Sequence, residues 1–387
     1  MKCAVVTSTT PDIVAALDGL LARLQADLGG QRPDLVMTFF TAHHAGDAAV
    51  LRKRIMDVLR PTVLLGCPAA GVIGEDVEVE ERAGTVIWAA HWPGVQLTPF
   101  RLEVDEHDGE AVLTGWPAAS APGSGFLVLA DPYTTPGDAL LDGFLQRYPG
   151  APVLGGFSSG ATGPGQAQFL FNGDVIDDGV VGVTVGGSVR LDPLVSQGCR
   201  PVGRHLVVTK AEQNVILALG GKPALDQLRS VFGEVPARDQ QLMQTALHVG
   251  RVVDERKSRY DRRDFLVRNV LGFDVENKAL AINELVRPGQ TIQFMVRDKD
   301  AASEDLHSLL AEEAKRGPPL GALLFSCNGR GTHLFGHAHH DVRSVHSGLG
   351  SDVATAGFFC NGEIGPVGGQ PFVHGFTASI ALFRPAG

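Results

Sequence analysis

A nine-residue glycine frame occurs three times in this chain: GCPAAGVIG at residues 66–74, GGFSSGATG at 155–163 and GFFCNGEIG at 357–365. Each copy has glycine at positions one, six and nine. The spacing alone is a weak signal in a chain with 48 glycines among 387 residues. Its surroundings give it weight, because each frame closes the same order of elements. An apolar run comes first, DLVMTFF (34–40), GFLVLAD (125–131) and GALLFSC (321–327), followed by a short polar loop. In the first two copies a helix comes next. Leu51, Ile55, Val58 and Leu59 share one face in the first, and Leu140, Leu141, Phe144 and Leu145 in the second. The third copy has a different insert, with a weak helical pattern over 341–349. A last strand follows each frame, TVIWAAHW (85–92), VVGVTV (180–185) and FTASIALF (376–383). The pattern reads as three diverged copies of one β-α-β-(Gly loop)-β unit. The expected fold class is α/β, with mixed β-sheets flanked by helices.

The length calls for two domains. The expected division is 1–205, holding two α/β units, and 206–387, holding a strand meander, a helix and the third unit. Net charge of −10 argues against a nucleic-acid or anionic-membrane partner. No apolar run approaches the roughly 18 residues that cross a bilayer, and MKCAVVTSTTPD is too short in apolar residues for a signal peptide. A cytoplasmic protein is expected. Five cysteines with no CxxC support neither a disulfide framework nor a zinc knuckle, and no cofactor is expected.

Along the chain, Thr10 and Pro11 read as the start of a helix with core stripe Ile13, Leu17, Leu20, Leu21, Leu24 and Leu28, stopped by Gly29-Gly30. Residues 103–124 read as a loop or linker. VVTKAEQNVILALGG (207–221) reads as two strands and a turn. Helices are expected from Pro223 to Phe232, over 240–249, and over 304–316 with Ser303 as cap. The stretch 251–300 reads as a strand meander. DERKSRYDRRD (254–264) holds five positive and four negative residues, a self-paired solvated face rather than a nucleic-acid patch.

Glycines at fixed spacing permit positive φ and clear one face of side chains, so that successive N–H groups can form a nest for anions. Close strand packing is the plainer reading for the first two frames. Polar groups crowd the third: Asn328, Arg330, Cys360, Asn361, Glu363 and His374. The loop 326–331 and the frame 360–366 each follow a strand. If those strands pair, both loops open at one sheet end, the usual ligand position in α/β folds. Arg330 would clamp a carboxylate and Glu363 would receive an ammonium group, which suits an amino acid. A plain Arg330–Glu363 salt bridge is the competing reading. Cys360 or Cys327, with His374 or His333 near in sequence, is the alternative nucleophile for acyl or thiol chemistry. His333, His337, His339, His340 and His346 cluster in GTHLFGHAHHDVRSVH, but Gly331 and Gly336 favour a solvated loop over a metal-binding helix.

SCNGRG, then GFFCNGEIGPVGG, then HGFTASIALF resemble the C-terminal motif of the FIST family, and GCPAAGVIG and GGFSSG are similar to its N-terminal half. The resemblance spans about 33–383. It implies a FIST-N plus FIST-C sensory module that binds a small ligand such as an amino acid and signals through a protein partner. It carries no catalytic residues over. Asn328, Gly329, Arg330, Gly331, Cys360, Asn361, Gly362, Glu363 and Gly365 match the motif and are the expected ligand contacts. No metal site is expected, since the HAHHD stretch lies outside the motif.

Overall fold

The computed structural model describes residues 1–107, 110–118 and 123–386. Strand β1 (Lys2–Ser8) leads into helix α1 (Ile13–Asp27). Asp12, rather than Thr10, caps that helix by accepting the Ala15 N–H at 3.0 Å. The first repeated unit is β2 (Leu35–Thr41), α2 (Ala48–Leu59), β3 (Val63–Ala69), the hairpin β4 (Gly71–Gly74) and β5 (Val77–Glu80), and β6 (Thr85–His91). Strands β7 (Val95–His107) and β8 (Glu110–Thr114) form a hairpin where a linker was expected over 103–124; residues 108–109 and 119–122 of that stretch lie outside the described residues. The second unit is β9 (Gly125–Ala130), α3 (Gly137–Arg147), β10 (Val153–Phe157), the hairpin β11 (Phe169–Phe171) and β12 (Asp174–Ile176), and β13 (Val180–Gly187), followed by β14 (Val189–Gln197).

The chain then builds β15 (Cys199–Glu212), β16 (Val215–Leu219), β17 (Lys222–Pro223), α4 (Ala224–Glu234), α5 (Ala237–Thr245), β18 (Leu247–Val252), β19 (Phe265–Asp274), β20 (Ala279–Ile282), β21 (Thr291–Arg297) and α6 (Lys299–Ala314). The helix expected over 240–249 ends at Thr245, because Leu247 enters a strand paired with β19 and β21. Ser303 lies inside α6 instead of capping it. Asp298 Oδ1 takes that role, accepting the Asp300 N–H at 3.0 Å. The third unit closes the chain: β22 (Gly321–Cys327), the short helices α7 (Gly331–Phe335) and α8 (His340–Leu349), β23 (Thr355–Cys360), the hairpin β24 (Glu363–Val367) and β25 (Gln370–His374), and β26 (Thr377–Pro385). The histidine-rich stretch is therefore helical at both ends rather than one solvated loop.

Contacts divide the chain into two compact units. One comprises Met1–Val195, His307–Val373 and Thr377–Gly387; the other comprises Ser196–Leu306 and His374–Phe376. This partition by compactness differs from any single cut in the sequence. In the smaller unit the strand order β15-β21-β18-β19-β20-β16 returns to β15, so the antiparallel sheet closes on itself. Val208, Ile216, Phe294 and Val296 fill its interior together with Leu225 and Val231 of α4. The DERKSRYDRRD run is self-paired only in part: Arg256 bonds Asp254, Lys257 bonds Asp264, and Asp261 and Asp264 form a reciprocal cap, whereas Arg262 and Arg263 reach Asp305 of α6.

The larger unit holds three sheets with one strand order. They read β1-β6-β2-β3-β11-β12, then β8-β7-β13-β9-β10-β24-β25, then β14-β26-β22-β23-β4-β5. In each, the parallel pair of one unit is extended by the hairpin of another. The first unit's hairpin joins the third sheet, the third's joins the second, and the second's joins the first. The inner faces share one core, in which Phe39 meets Phe358 at 5.0 Å and Trp88 stacks on Phe383 at 5.2 Å. The outer face of the first sheet is covered by α1 and α2, and that of the second by α3. Burial on both faces is why β2, β3, β9 and β10 read as continuous apolar runs without alternation.

The frames mark this exchange. Gly66, Gly155 and Gly357 pair in register with Thr38, Val128 and Leu324 on one side and with Leu170, Ile364 and Ile73 of the exchanged hairpin on the other. A Cβ at any of the three would run into the carbonyl oxygen of Thr38, Val128 or Leu324. The first glycine of each frame thus serves backbone packing. At the sixth position, a Cβ on Gly71 would meet Phe359 at 2.8 Å, and one on Gly160 would meet Ala69 N at 2.6 Å, each a residue of another copy's frame. Phe157 N–H donates to Gly362 O at 2.9 Å, which completes the ring of frame contacts.

Candidate functional site

Strands β22 and β23 pair in parallel with Cys327 opposite Cys360, so the loops that follow them open together. Asn328 N–H donates to Cys360 O at 3.0 Å, and Asn328 Nδ2 donates to Asn361 Oδ1 at 2.8 Å on the exposed rim. Asn328, Gly329, Cys360, Asn361 and Gly362 are thereby brought together. Gly331 starts α7 at φ +59, where a Cβ would strike the Glu80 carboxylate. Gly365 lies further along β24, against Ser379 and Val195.

Beneath the rim lie charges with no exposure to solvent. The Arg330 side chain is fully buried and forks onto Asp341, with Nε to Oδ2 at 2.7 Å and Nη2 to Oδ1 at 2.8 Å. Ser326 Oγ donates to Asp341 Oδ2 at 2.9 Å, and His340 Nδ1 lies 2.9 Å from Oδ1. The guanidinium also faces the Phe335 ring at 5.3 Å, whose stack with His340 has a centroid distance of 3.4 Å. Burial opposes the Asp341 charge, but the Arg330 charge and its hydrogen bonds override this and hold the carboxyl below the usual range. The ion-pair partner of Arg330 is therefore Asp341, in place of the Glu363 considered from sequence.

Glu363 opens β24 and is fully buried. Its Oε2 accepts the Thr377 N–H at 3.0 Å and hydroxyl at 2.8 Å, while Oε1 has no hydrogen-bond partner. Burial pushes this carboxyl up to about 8, with the Thr377 bonds, the Cys327 thiol and the Arg330 charge opposing the rise. Burial thus favours the protonated, neutral form of the carboxyl. Register places Val72 and Phe169 at the equivalent place in the other two hairpins, since Ile73 stands opposite Gly357 and Leu170 opposite Gly66 as Ile364 stands opposite Gly155. The fold is therefore built there twice without an ionisable group.

Burial pushes the Cys360 thiol well above its ordinary value, which disfavours an isolated thiolate there at neutral pH. His374 falls in the short His374–Phe376 segment that belongs with the smaller unit. Among the described residues no group of three or more His, Cys, Asp or Glu is placed to hold a metal ion, and no helix is long and apolar enough to cross a membrane.

Sequence reading missed Asp341, Glu78, Glu80, Ser326 and Thr377. Glu78 Oε1 accepts the N–H groups of Asp341 and Val342 at 2.9 and 3.0 Å, capping α8, and burial pushes its carboxyl up to about 8. Glu80 accepts the Thr332 N–H at 3.1 Å at the start of α7. The alternating carboxylates in the β5 sequence VEVE were the available signal, but nothing local names helices some 260 residues away as their partners.

The FIST N domain model matches residues 34–222 and the FIST C domain model residues 224–366. An uncharacterized protein of Mycobacterium tuberculosis is 37% identical over 385 residues, covering 99% of this chain and 100% of the relative. An uncharacterized protein of Mycobacterium bovis is 36% identical over 385 residues, covering 99% of each. An uncharacterized protein of Methanocaldococcus jannaschii is 30% identical over 83 residues, 21% of this chain and 16% of its own length. FIST domains are associated with sensing in signal transduction. Two domain matches that together span most of the sequence show that the chain belongs to the FIST family.

Proposed function

We propose that this protein is a small-ligand sensor whose ligand sits between the 327–331 loop and the 360–365 frame. The observation that carries the reading is Glu363, a buried carboxyl with one unpartnered oxygen, at a place that the other two hairpins fill with the apolar Val72 and Phe169. A buried polar atom without a partner costs about 1–3 kcal/mol, so a role beyond folding is expected where the fold does without one. Glu363 would accept an ammonium or other donor from the ligand, and the rim amides of Asn328 and Asn361 would meet its polar far end. A free amino acid or similar small amine has this shape. Arg330, engaged by Asp341, would set the loop rather than clamp the ligand. Occupancy would be passed to a separate signalling protein through movement of the rim.

The test is a thermal-shift screen of the native protein against amino acids and small amines, with small carboxylates as comparison. A ligand at about 100 times its dissociation constant stabilises by about 2.7 kcal/mol. The expected result is an amine-dependent shift that Glu363→Gln abolishes while the variant still unfolds in one cooperative transition without ligand. A shift that survives Glu363→Gln unchanged would overturn the assignment.

A further inference from the structure

The ends of β22 and β23 carry a second chemistry, that of a pair of thiols. Cys327 and Cys360 are register partners in a parallel pair. Adjacent strands lie about 4.8 Å apart, within the roughly 4.4–6.8 Å Cα separation a disulfide spans. The two side chains stand side by side on one face of the sheet. A Cβ on Gly156 would lie 2.5 Å from the Cys360 sulfur, so the glycine of the neighbouring sheet leaves room for that thiol. Cys327 is part-exposed and Cys360 buried. The Gly329 N–H points at the Cys327 sulfur at 3.4 Å, and the fixed charge of Arg330 is close enough to act on it. An N–H donor and a cation favour the thiolate form that reacts. The corresponding pair in the first copy is Thr41 with Ala69, and in the second copy the residues that follow the last register pair, Ala130 with Phe157, are Asp131 and Ser158, so the fold does not require thiols at these places.

We propose that Cys327 and Cys360 form a peroxide-responsive dithiol, with Cys327 as the attacking thiol and Cys360 as the resolving one. The Cys327 thiolate attacks one peroxide oxygen; the S–O bond forms, the O–O bond breaks, and the departing hydroxide takes a proton to become water. The Cys360 sulfur then attacks the Cys327 sulfenic acid. The S–S bond forms as the S–O bond breaks, and the departing hydroxide leaves as water with the Cys360 proton. Two thiols and one hydrogen peroxide become one disulfide and two waters. The bond would tie the two strand ends together directly under the Asn328–Asn361 contact, at the rim of the proposed ligand site.

The test treats the native full-length protein with hydrogen peroxide, followed by non-reducing peptide mapping. The expected result is loss of two free thiols, a Cys327–Cys360 cross-link that dithiothreitol reverses, and Cys3, Cys67 and Cys199 left alkylatable after unfolding. In Cys360→Ser, Cys327 should stop at a sulfenic acid that dimedone captures. In Cys327→Ser, Cys360 should stay reduced at the same dose. A Cys327 that is inert or goes straight to the sulfinic acid in the wild type, or a cross-link from Cys360 to Cys67 instead, would overturn the proposal. The wild-type map decides even if a variant folds poorly. Its outcome is independent of the amine screen, so failure of one reading leaves the other standing.

Discussion

Asp341→Asn tests whether Arg330 is a structural cation or one held ready for a ligand. Asp341 is buried, the guanidinium is fully buried, and the fork between them is joined by Ser326 and His340. Asparagine keeps the shape but removes the charge, and its NH2 group turns a donor toward donors. Breaking a buried pair by removing one partner costs about 3–5 kcal/mol, because the remaining charge is left without compensation. The full fork and the lack of solvent contact place this variant toward the upper end. For a unit of this size the midpoint should fall by about 10 °C. All three tryptophans, Trp88, Trp92 and Trp116, lie in the larger unit, so tryptophan emission during urea or thermal unfolding follows that unit alone. The double variant Arg330→Met with Asp341→Leu should recover most of the loss, since exchange of a buried pair for apolar groups is often near neutral. A loss under about 1 kcal/mol in Asp341→Asn would refute the reasoning. It would mean that water or another anion reaches Arg330, and would return it to the role of ligand clamp.

Gly357→Ala should destabilise the larger unit by about 2 kcal/mol or more, because its Cβ collides with a backbone carbonyl of Leu324 that has no rotamer to escape through; an unchanged tryptophan-monitored midpoint would contradict the register described for β22 and β23. The raised Glu363 carboxyl makes stability depend on pH with a defined sign. Its contribution is fully present below the ordinary value of 4.5 and is lost as pH rises through about 8, since the unfolded carboxyl ionises while the folded one keeps its proton. Glu363→Gln should therefore gain on the wild type across that window in parallel urea titrations, and curves that stay a constant distance apart would show that Glu363 is not held neutral. Glu80→Ala should loosen the start of α7 by about 1 kcal/mol, read as faster amide exchange at Thr332; unaltered exchange would show that its bond there is not formed in solution.

Much of the local architecture was legible because it rests on short-range chemistry. The stripe of α1, the apolar runs of β2, β9 and β22, and the order β-α-β before each frame follow from side-chain periodicity and burial on both faces. The convergence of the 328 and 361 loops was also within reach, because parallel neighbours must open their loops at the same end. Ser303 and Thr10 were misplaced as caps because the helices start elsewhere, with the acceptor supplied by Asp298 before Ser303 and by Asp12 after Thr10. Within the stretch expected as a linker over 103–124, residues 103–107 and 110–114 are paired strands, which a polar composition did not announce.

By itself the sequence determined that three α/β units exist, where their glycines must fall, and which polar residues gather in the third. Tertiary structure alone decided which hairpin completes which sheet, since a four-residue strand such as GVIG carries no local record of a partner nearly three hundred residues away. It also decided that Arg330 is neutralised by Asp341 while Glu363 keeps an unpartnered oxygen. Charge pairing inside a protein is settled by distance and by the loss of water around each group, and both arise only when the sheets close together.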